Sequence, residues 1–274
     1  MKNTSAVVTA FAIALASWTP AHAQYASAGP DFASNDTART EPGEPVLAAP
    51  TVVLKLDDLT AWAPRVAAFQ RVASLIYQRK IKAGFGLIGN SLVDDGTKQG
   101  YYDVVRGFAD SGRIEIWHHG YDHADLGDGR YEFSGPSYRR QLRHMAITVW
   151  LLAEKCGVTV RSFGAPFNLN DLNTVSVLER FPQIKVWMFP SEDEGSTKVL
   201  LRAGQTRVNM EPSTGVVDYQ YFVDNYNRAK GKPIMVLQGH PGGWTDESFQ
   251  AFDQILDFLD AQGVTYKMPY EVAP

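Results

Sequence analysis

An apolar run passes into a histidine-rich turn in the segment Ile114-Glu115-Ile116-Trp117-His118-His119-Gly120-Tyr121-Asp122-His123. The apolar and β-favouring residues before position 118 predict a buried strand. The six positions that follow hold three histidines and one aspartate. His119 and His123 are four residues apart, and two imidazoles at that spacing can converge on one metal ion. The alternative interpretation of this spacing alone is a pair of polar surface or satisfied core histidines.

A pair of acidic residues follows another apolar run. The segment Thr51-Val52-Val53-Leu54-Lys55-Leu56 ends in Asp57-Asp58. A carboxylate beside two imidazoles is a common ligand set for a divalent transition metal, so this pair strengthens the metal hypothesis. The alternative is that the two aspartates are N-caps of the amphipathic segment Ala61–Arg79.

The composition is that of an ordinary globular protein. The 274 residues are 45% hydrophobic and 20% charged, which is sufficient for a sizeable core. One large domain fits better than two, because barrel-type α/β domains commonly reach about 200–250 residues. The formal net charge is −4, and there is no long basic or acidic block. The charge therefore gives no electrostatic case for nucleic acid or anionic lipid as a partner.

The first 50 residues are predicted to lie outside the folded domain. Lys2 and the short apolar run Ala6–Trp18 precede Ala21-His22-Ala23, which is the small-x-small pattern of a secretory cleavage site. The run is too short for a membrane span, so we predict a signal peptide over 1–23 that is cleaved after Ala23, and a secreted or periplasmic protein. Residues 24–50 lack apolar periodicity and predict a disordered leader, which leaves 51–274 as the functional domain.

Strand and helix patterns alternate along this domain. The predicted strands are Val52–Leu56, Ala83–Ile88, Ile114–Trp117, Val158–Phe163, Lys185–Phe189, Val199–Arg202, Arg207–Met210, Pro233–Leu237 and Val264–Lys267. The predicted helices are Ala61–Arg79, Tyr101–Asp110, Tyr138–Lys155, Leu172–Arg180, Val217–Ala229 and Phe249–Ala261. This alternation predicts parallel strands with helical crossovers. The predicted fold class is therefore α/β, a single distorted (β/α) barrel of seven or eight mainly parallel strands.

Four polar groups follow the ends of predicted strands, which is where such barrels build their sites. They are Asp57-Asp58, the pair His119 and His123, the loop Gly164-Ala165-Pro166-Phe167-Asn168, and Gln238-Gly239-His240. One carboxylate and two imidazoles would leave open positions on Zn²⁺ or a similar ion for water and a substrate carbonyl. Adjacent aspartates on a strand end point to opposite sides, so one can bind the ion while the other acts as a general base. His240 arrives from a different strand and is free to protonate a leaving group; a loop histidine held by backbone bonds is the alternative.

These motifs and their order resemble the NodB-type polysaccharide deacetylases, carbohydrate esterase family 4. Leu56-Asp57-Asp58-Leu59 is similar to the family's Phe-Asp-Asp-Gly, and His119-Gly120-Tyr121-Asp122-His123 to its second motif. Val236-Leu237-Gln238-Gly239-His240 resembles its last motif, and Tyr266–Ala273 its closing segment. The resemblance covers 51–274.

The resemblance implies a role for each matching residue. Asp58, His119 and His123 would bind the metal, usually zinc. Asp57 would be the general base and His240 the general acid. The metal and nearby backbone N–H groups would hold the oxyanion formed when water attacks an N- or O-acetyl carbonyl.

Three departures place the chain in a divergent branch. Gly164-Ala165-Pro166-Phe167-Asn168 stands in place of the family's Arg-Pro-Pro-Tyr-Gly, so the arginine that orients the base is absent. Arg161 lies three residues earlier and is expected to face the other way. Leu59 stands where the family usually has glycine, and no motif supplies the aspartate that orients the acid histidine. Lys55 and Asn168 are the candidate replacements in the site.

Four residues beside the motifs are predicted to bind substrate: Tyr121, Phe167, Asn168 and Trp244. The aromatic members could stack on sugar rings through their apolar faces, although core packing is the commoner role of such residues. His118 is expected beside the ligands or in packing, and His144 on the surface of its helix.

The predicted function is that of a secreted metal-dependent deacetylase that acts on N- or O-acetyl groups of a polysaccharide or glycan. Its cofactor would be Zn²⁺ or another divalent metal. Its partner would be the acetylated glycan, with no nucleic acid and no membrane span, and the oligomeric state is left open. The alternatives are a catalytically impaired protein that binds metal or glycan, and an amidohydrolase or deformylase of a non-sugar substrate.

Overall fold

A computed structural model describes residues 49–274. The predicted signal peptide, 1–23, and the predicted leader, 24–50, lie outside the described residues except for Ala49 and Pro50. Within residues 49–274, no helix is both long and apolar enough to cross a membrane.

The described chain contains ten strands and seven α-helices. The strands are β1 (Thr51–Leu59), β2 (Ala83–Leu87), β3 (Ile114–His118), β4 (Asp125–Gly127), β5 (Arg130–Tyr131), β6 (Ser162–Phe163), β7 (Val186–Met188), β8 (Val199–Leu201), β9 (Ile234–Gly239) and β10 (Thr265–Tyr266). The helices are α1 (Ala63–Arg79), α2 (Gln99–Asp110), α3 (Tyr138–Cys156), α4 (Leu172–Leu178), α5 (Ala203–Thr206), α6 (Tyr219–Arg228) and α7 (Asp246–Ala261).

Eight of these strands form one parallel sheet that curls towards closure. β1 pairs in parallel with β2, β9 and β10, and β2 continues through β3, β6 and β7 to β8. After β8 the chain makes one parallel bridge, between Arg207 and Val236 of β9, which narrows the remaining gap. The predicted distorted (β/α) barrel is confirmed.

The longer helices cover this sheet because they present an apolar face to it. In α1 that face is Phe69, Val72, Ala73 and Ile76, all buried. Inside the barrel, Trp117 is fully buried and fills the space that small residues leave. A Cβ atom on Gly86 would lie 2.4 Å from the Trp117 ring, so a glycine is required at that close approach.

The amino end of the barrel is covered by the segment after β10. A Cβ atom on Gly84 of β2 would lie 2.6 Å from Pro269, so this segment packs directly against the sheet. The backbone N–H of Tyr270 donates a hydrogen bond of 2.8 Å to Oε2 of Glu115 in β3. The C-terminal segment is therefore part of the core of the barrel.

Two predicted strands differ from the structure, and one hairpin was not predicted. The predicted strand over 158–163 is reduced to Ser162–Phe163, because the backbone N–H of Val158 is used to end α3 on the carbonyl of Leu152. The predicted strand near 207–210 makes only the bridge to β9. The hairpin β4–β5 was not predicted; its turn is Asp128-Gly129, both with positive φ, as two-residue hairpin turns require.

Candidate metal and hydrolytic centre

A cavity of about 310 Å³ opens at the carboxyl ends of the barrel strands. It is lined by Asp57, Asp58, His119, His123, Phe167, Asn168, Arg207, Thr214, Gln238 and His240. Five of these are the predicted metal ligands, base and acid, which come from β1, from the loop after β3 and from the end of β9. The structure therefore brings all five together, as the parallel order of the strands requires.

Asp57 and Asp58 both line this cavity, which differs from the expectation that they point to opposite sides. The register between β1 and β2 shifts between Leu56 and Leu59, so the strand bulges at the two aspartates. Asp58 has φ of 74°, a left-handed conformation that is rare for a residue with a side chain. The bulge re-aims the second carboxylate into the site, which is a common use of β-bulges beside active sites.

Asp58, His119 and His123 form a compact three-atom set. Oδ1 of Asp58 lies 3.3 Å from Nε2 of His119 and 3.3 Å from Nε2 of His123. Ligands about 2.0–2.1 Å from a tetrahedral ion are separated by roughly 3.4 Å, so these spacings suit zinc. Among the described residues, Oδ1 of Asp58 is buried without a hydrogen-bond donor, as expected of an atom reserved for a cation.

The second nitrogen of His119 is held by the backbone. Its Nδ1 lies 2.8 Å from the carbonyl oxygen of Gly164, which selects the tautomer with a proton on Nδ1 and leaves Nε2 free to ligate. Burial lowers the pKa of His123, which favours the neutral imidazole that a metal needs. For Asp58, burial opposes ionisation, but the neighbouring His119 and His123 outweigh it and lower the pKa of the carboxyl. The three residues fit a divalent metal in both geometry and ionisation.

The loop that carries the two histidines is held by Glu132, a residue that no sequence motif indicates. The Glu132 carboxylate is fully buried and accepts hydrogen bonds from the backbone N–H groups of Tyr121, at 2.5 Å, and His123, at 2.7 Å. His144 contacts the same carboxylate through Nδ1 at 2.9 Å. The expectation of a surface role for His144 was therefore wrong: this partner holds the imidazole in the interior, where it is 9% exposed.

Asp57 is buried against a lysine two residues earlier on β1. Nζ of Lys55 lies 2.5 Å from Oδ2 of Asp57, and both side chains are almost completely buried. Nε2 of Gln238 donates to the same oxygen at 2.6 Å. Burial would raise the pKa of Asp57, but the charges of Lys55, His119 and His240 outweigh it and lower that pKa. Within the described chain, Oδ1 of Asp57 has no hydrogen-bond partner, so one carboxylate oxygen is held and the other is free.

Lys55, one of the two candidate replacements for the missing arginine, thus contacts Asp57 directly. Asn168, the other candidate replacement, contacts Oε1 of Gln238 at 3.2 Å and reaches Asp57 only through that side chain. Arg161 stacks on Tyr270 at 4.6 Å, at the amino end of the barrel.

His240 is oriented by Glu211, which sequence reasoning missed. Nδ1 of His240 lies 2.6 Å from Oε2 of Glu211, and its backbone N–H donates to Oε1 at 2.8 Å. Burial alone would lower the pKa of His240, but the Glu211 carboxylate outweighs it and raises that pKa. Nε2 then faces the cavity, 3.9 Å from Oδ2 of Asp57. A signal did exist: Glu211 directly follows the predicted strand near 207–210, and so belongs to the same end of the barrel as the other polar groups.

Phe167 and Asn168 line the cavity in strained backbone conformations, with φ of 58° and 57°. The Phe167 ring lies 4.4 Å from the His123 ring and 4.7 Å from Tyr131, and 44% of the residue is exposed. An exposed aromatic ring fixed beside the candidate metal ligands presents a flat apolar surface to the cavity. Strain of this kind persists where the surrounding contacts over-determine it, commonly at functional sites.

The other two predicted substrate-binding residues do not reach the cavity. Trp244 is 8% exposed, packs against Phe252 with centroids 4.8 Å apart, and donates its indole N–H to Oε1 of Glu211 at 2.6 Å. Tyr121 is half-buried and packs on His144 at 5.1 Å. The prediction of sugar stacking by Trp244 is corrected, because its ring is turned into the core and supports the carboxylate that orients His240. Tyr121 packs on His144 outside this cavity, and its role in binding substrate stays a prediction.

Comparison with known proteins decides the family. The family model for polysaccharide deacetylase matches residues 46–183, about half of the chain. The chain belongs to the polysaccharide deacetylase family. Among curated proteins no relative matches this chain.

Solved structures of carbohydrate esterase family 4 share the fold of this polysaccharide deacetylase chain. A family pseudoenzyme from Bacillus anthracis is 17% identical with a TM-score of 0.57; the match covers 82% of this chain and 66% of that one, just under two thirds. The esterase domain of a multidomain xylanase from the hindgut metagenome of Trinervitermes trinervoides is 19% identical, with a TM-score of 0.57 and coverages of 82% and 89%. A family 4 acetyl xylan esterase from Clostridium thermocellum in complex with a cobalt ion is 15% identical, with a TM-score of 0.57 and coverages of 81% and 89%. These low identities agree with a divergent branch.

Proposed function

We propose that this polysaccharide deacetylase is a secreted, metal-dependent enzyme that hydrolyses N- or O-acetyl groups on a glycan. One observation carries the proposal: the buried Asp57 carboxylate, paired with Lys55 at 2.5 Å, lies between the compact set of Asp58, His119 and His123 and the imidazole of His240. A base, an acid and a divalent-metal site at one cavity are the parts that metal-assisted amide or ester hydrolysis requires.

Asp58, His119 and His123 would hold zinc, which when bound supplies Lewis acidity to the acetyl carbonyl and to the attacking water. The protein contributes the fixed orientation of these ligands. The carbonyl of Gly164 fixes the ring of His119, and the Glu132 carboxylate holds the backbone N–H of His123. Partners of this kind keep ligands in position and raise metal affinity.

Asp57 would accept the proton of the attacking water. Its Oδ2 is occupied by Lys55 and Gln238, while its Oδ1 has no donor among the described residues. The lowered pKa keeps Asp57 ionised and available as a base.

His240 would donate a proton from Nε2 to the departing amine or alcohol oxygen. Glu211 occupies Nδ1 and raises the pKa of the ring, so the imidazole carries the proton that a general acid must give. Collapse of the tetrahedral intermediate then releases acetate and leaves a free amino or hydroxyl group on the sugar.

Two replacements favour an active enzyme over the impaired alternative. The family's arginine and aspartate are missing from the sequence motifs, but Lys55 and Glu211 make the corresponding contacts from other positions. The exposed ring of Phe167 beside His123 favours a ring-shaped substrate such as a sugar over a small formyl compound.

Export is proposed from the predicted signal peptide, 1–23, and is tested by intact-mass measurement of the protein recovered from the extracytoplasmic fraction. The expected mass is that of a chain beginning at Gln24. A protein that begins at Met1 in the cytoplasmic fraction would contradict export. The enzymatic proposal does not depend on that result and is tested separately.

The enzymatic proposal is tested by measuring metal content and acetate release on the same purified samples. We expect one equivalent of zinc and acetate release from acetylated xylan or N-acetylated chitin oligosaccharides. Asp57→Asn is expected to keep the metal and to lose about 10²-fold or more in kcat, since a general base contributes roughly 10²–10⁴-fold. His119→Ala/His123→Ala is expected to lose both metal and activity.

The matched control is Asp224→Asn, which removes one carboxylate from the exposed face of α6. Metal binding without acetate release from any acetylated glycan would support the impaired alternative. Formate release from formylated amides, with none of acetate, would support the deformylase alternative. Absence of metal in the purified wild type would contradict the assignment of the site.

A further inference from the structure

A cleft of about 410 Å³ lies beside the loop that carries the metal ligands, at the first turns of α3. It is lined by Ser137, Arg139, Arg140, Arg143 and His144. We call this the arginine cleft. Its three arginines are exposed, and Arg143 lies four residues after Arg139 and three after Arg140, so it neighbours both on the helix surface.

The positive charge of the arginine cleft is largely uncompensated. Among residues 49–274, the only acid paired with one of its arginines is Asp122, whose Oδ2 lies 3.7 Å from Nη2 of Arg140. Arg139 and Arg143 have no ion-pair partner in that part of the chain. The first turn of α3 contains no acidic residue, although the helix dipole favours acids there and disfavours bases.

Several surface arginines elsewhere in residues 49–274 are paired with acids at shorter distances. Arg79 contacts three aspartates of α7, Arg71 contacts Asp246 at 2.5 Å, and Arg202 contacts Asp193 at 2.7 Å. The arginine cleft differs from these positions because it gathers three arginines at the start of one helix with a single ion pair, at 3.7 Å, among them. Local electrostatic rules are broken in this way mainly where function requires it.

The arginine cleft adjoins the candidate metal site. His144 forms one wall of the cleft and contacts the Glu132 carboxylate, which also holds the backbone N–H of His123. The paired acid, Asp122, directly precedes His123. The first turn of a crossover helix lies at the carboxyl end of the strands, so the cleft and the cavity open on the same face of the barrel.

We propose that the arginine cleft binds an acidic group of the glycan, a carboxylate, sulfate or phosphate, while a neighbouring acetylated residue occupies the metal site. This inference rests on the proposed deacetylase function and narrows its substrate to an anionic glycan. Guanidinium groups recognise planar oxyanions through paired N–H donors, and three of them on one face can hold a negatively charged ring substituent.

The test is calorimetric titration of the purified zinc-loaded protein with two acetylated oligosaccharides of equal length. One is an oligogalacturonate, whose rings carry carboxylates, and the other is a neutral xylo-oligosaccharide. We expect the acidic oligomer to bind about tenfold or more tightly, since each hydrogen bond to a charged group is worth a factor of about ten. The preference is expected to shrink as salt is added.

Arg139→Gln/Arg143→Gln is expected to abolish this preference, so that the ratio of the two dissociation constants falls towards one. Arg228→Gln/Lys230→Gln removes the same charge from an exposed segment at the end of α6 and is the matched control, expected to keep the preference. The cleft variant loses only basic side chains from the start of a helix, so its melting temperature is expected to be no lower than that of the wild type.

Equal binding of the two oligomers by the wild type, or an unchanged preference in the cleft variant, would overturn the inference. So would inorganic phosphate that binds as tightly as the acidic oligomer, because the cleft would then hold a free small anion. A preference that depends on the two arginines, in a protein that releases no acetate, would sustain the binding site and its glycan ligand while refuting the deacetylase proposal. Acetate release without a preference for the acidic oligomer would support the deacetylase proposal and refute the anionic binding site.

Discussion

The two ends of the barrel each bury a carboxylate, and the two carboxylates differ in their partners. At the carboxyl end, Asp57 is 1% exposed and lies 2.5 Å from the ammonium of Lys55. At the amino end, Glu115 is 6% exposed and accepts a hydrogen bond from the backbone N–H of Tyr270, with no cation in hydrogen-bond contact among the described residues. The pKa of Asp57 is lowered, whereas burial raises the pKa of Glu115 to about 7.

This difference shows what determines the charge of a buried acid in this protein. Desolvation opposes ionisation at both positions, and the Lys55 ammonium with the surrounding imidazoles reverses its effect only at the carboxyl end. The carboxyl end of the barrel therefore maintains an ionised carboxylate at the cost of burying an ion pair. The other end closes the barrel around an acid that becomes neutral when the pH falls below about 7.

The largest effect is expected when the cation of the buried pair is removed. Lys55→Met keeps an unbranched apolar stem but leaves Asp57 buried without its ammonium partner. The free energy of unfolding is expected to fall by about 3–5 kcal/mol, the typical cost of breaking one side of a buried pair. Urea denaturation measures this change, and Lys55→Met/Asp57→Asn is expected to recover most of the loss.

Lys155→Met is the control for this experiment, because its ammonium contacts Asp94 at 3.2 Å on the surface. Exposed pairs contribute about 0–1 kcal/mol, so only a small change is expected there. If Lys55→Met lost no more stability than Lys155→Met, the contrast between the two ends of the barrel would not depend on Lys55.

The next largest effect is expected when His240, the proposed general acid, loses the carboxylate of Glu211. In Glu211→Gln the imidazole of His240 loses its carboxylate partner, while burial continues to oppose protonation, so its pKa is expected to fall. A general acid works only when protonated, so the alkaline limb of the kcat/KM profile should move to lower pH. Activity above neutral pH should fall by about 100-fold, within the range that a general acid contributes. A smaller kcat with an unmoved alkaline limb would show that Glu211 acts on structure rather than on the proton of His240.

Much of this fold could be predicted because the physics that sets it is local and periodic. Apolar strands alternate with amphipathic helices, and parallel strands must place their carboxyl ends together. That rule alone brings the aspartates, His119 and His240 to one cavity from distant parts of the chain. The segment 158–163 shows the limit of such patterns, since its apolar residues serve mainly to end α3 and to pack the core.

The residues that orient this site could not be found in the same way. Glu132 directly follows the short hairpin β4–β5 and supports the loop of His119 and His123 only because tertiary packing places its carboxylate against the backbone of that loop. The direction of the Asp58 side chain depends on a β-bulge, and a bulge leaves no periodic pattern in the sequence. Trp244 is beside His240 in sequence, but its indole N–H is taken by Glu211, and this contact turns the ring away from the substrate.

A third prediction tests the amino end directly. Because folding raises the pKa of Glu115 from its ordinary 4.5 to about 7, the unfolded chain loses the proton first, and stability should fall as the pH rises from about 4.5 to 7. Glu115→Gln stays neutral and keeps an acceptor for Tyr270. It is therefore expected to be more stable than the wild type at pH 8, by on the order of 2 kcal/mol, and nearly equal at pH 4.5.

Urea unfolding at the two pH values measures this difference, and Glu154→Gln, on the exposed face of α3, is the control. A constant difference between Glu115→Gln and the wild type at both pH values would mean that Glu115 has the same ionisation in the folded and unfolded chains. The two ends of the barrel would then differ less than their geometry indicates.

The smallest effect is expected from Trp244→Phe, which tests the role of Trp244 at the carboxyl end of the barrel. Phenylalanine keeps the apolar contacts with Phe249 and Phe252 but removes the N–H that donates to Glu211 at 2.6 Å. Because Glu211 retains both of its contacts to His240, the loss should be about 1 kcal/mol, seen as a modest fall in kcat with an unchanged KM for the glycan. Phe167→Leu is the comparison, since it removes an exposed ring and should raise KM instead. A KM that rose in Trp244→Phe, and rose more for longer oligosaccharides, would indicate that this tryptophan contacts the substrate.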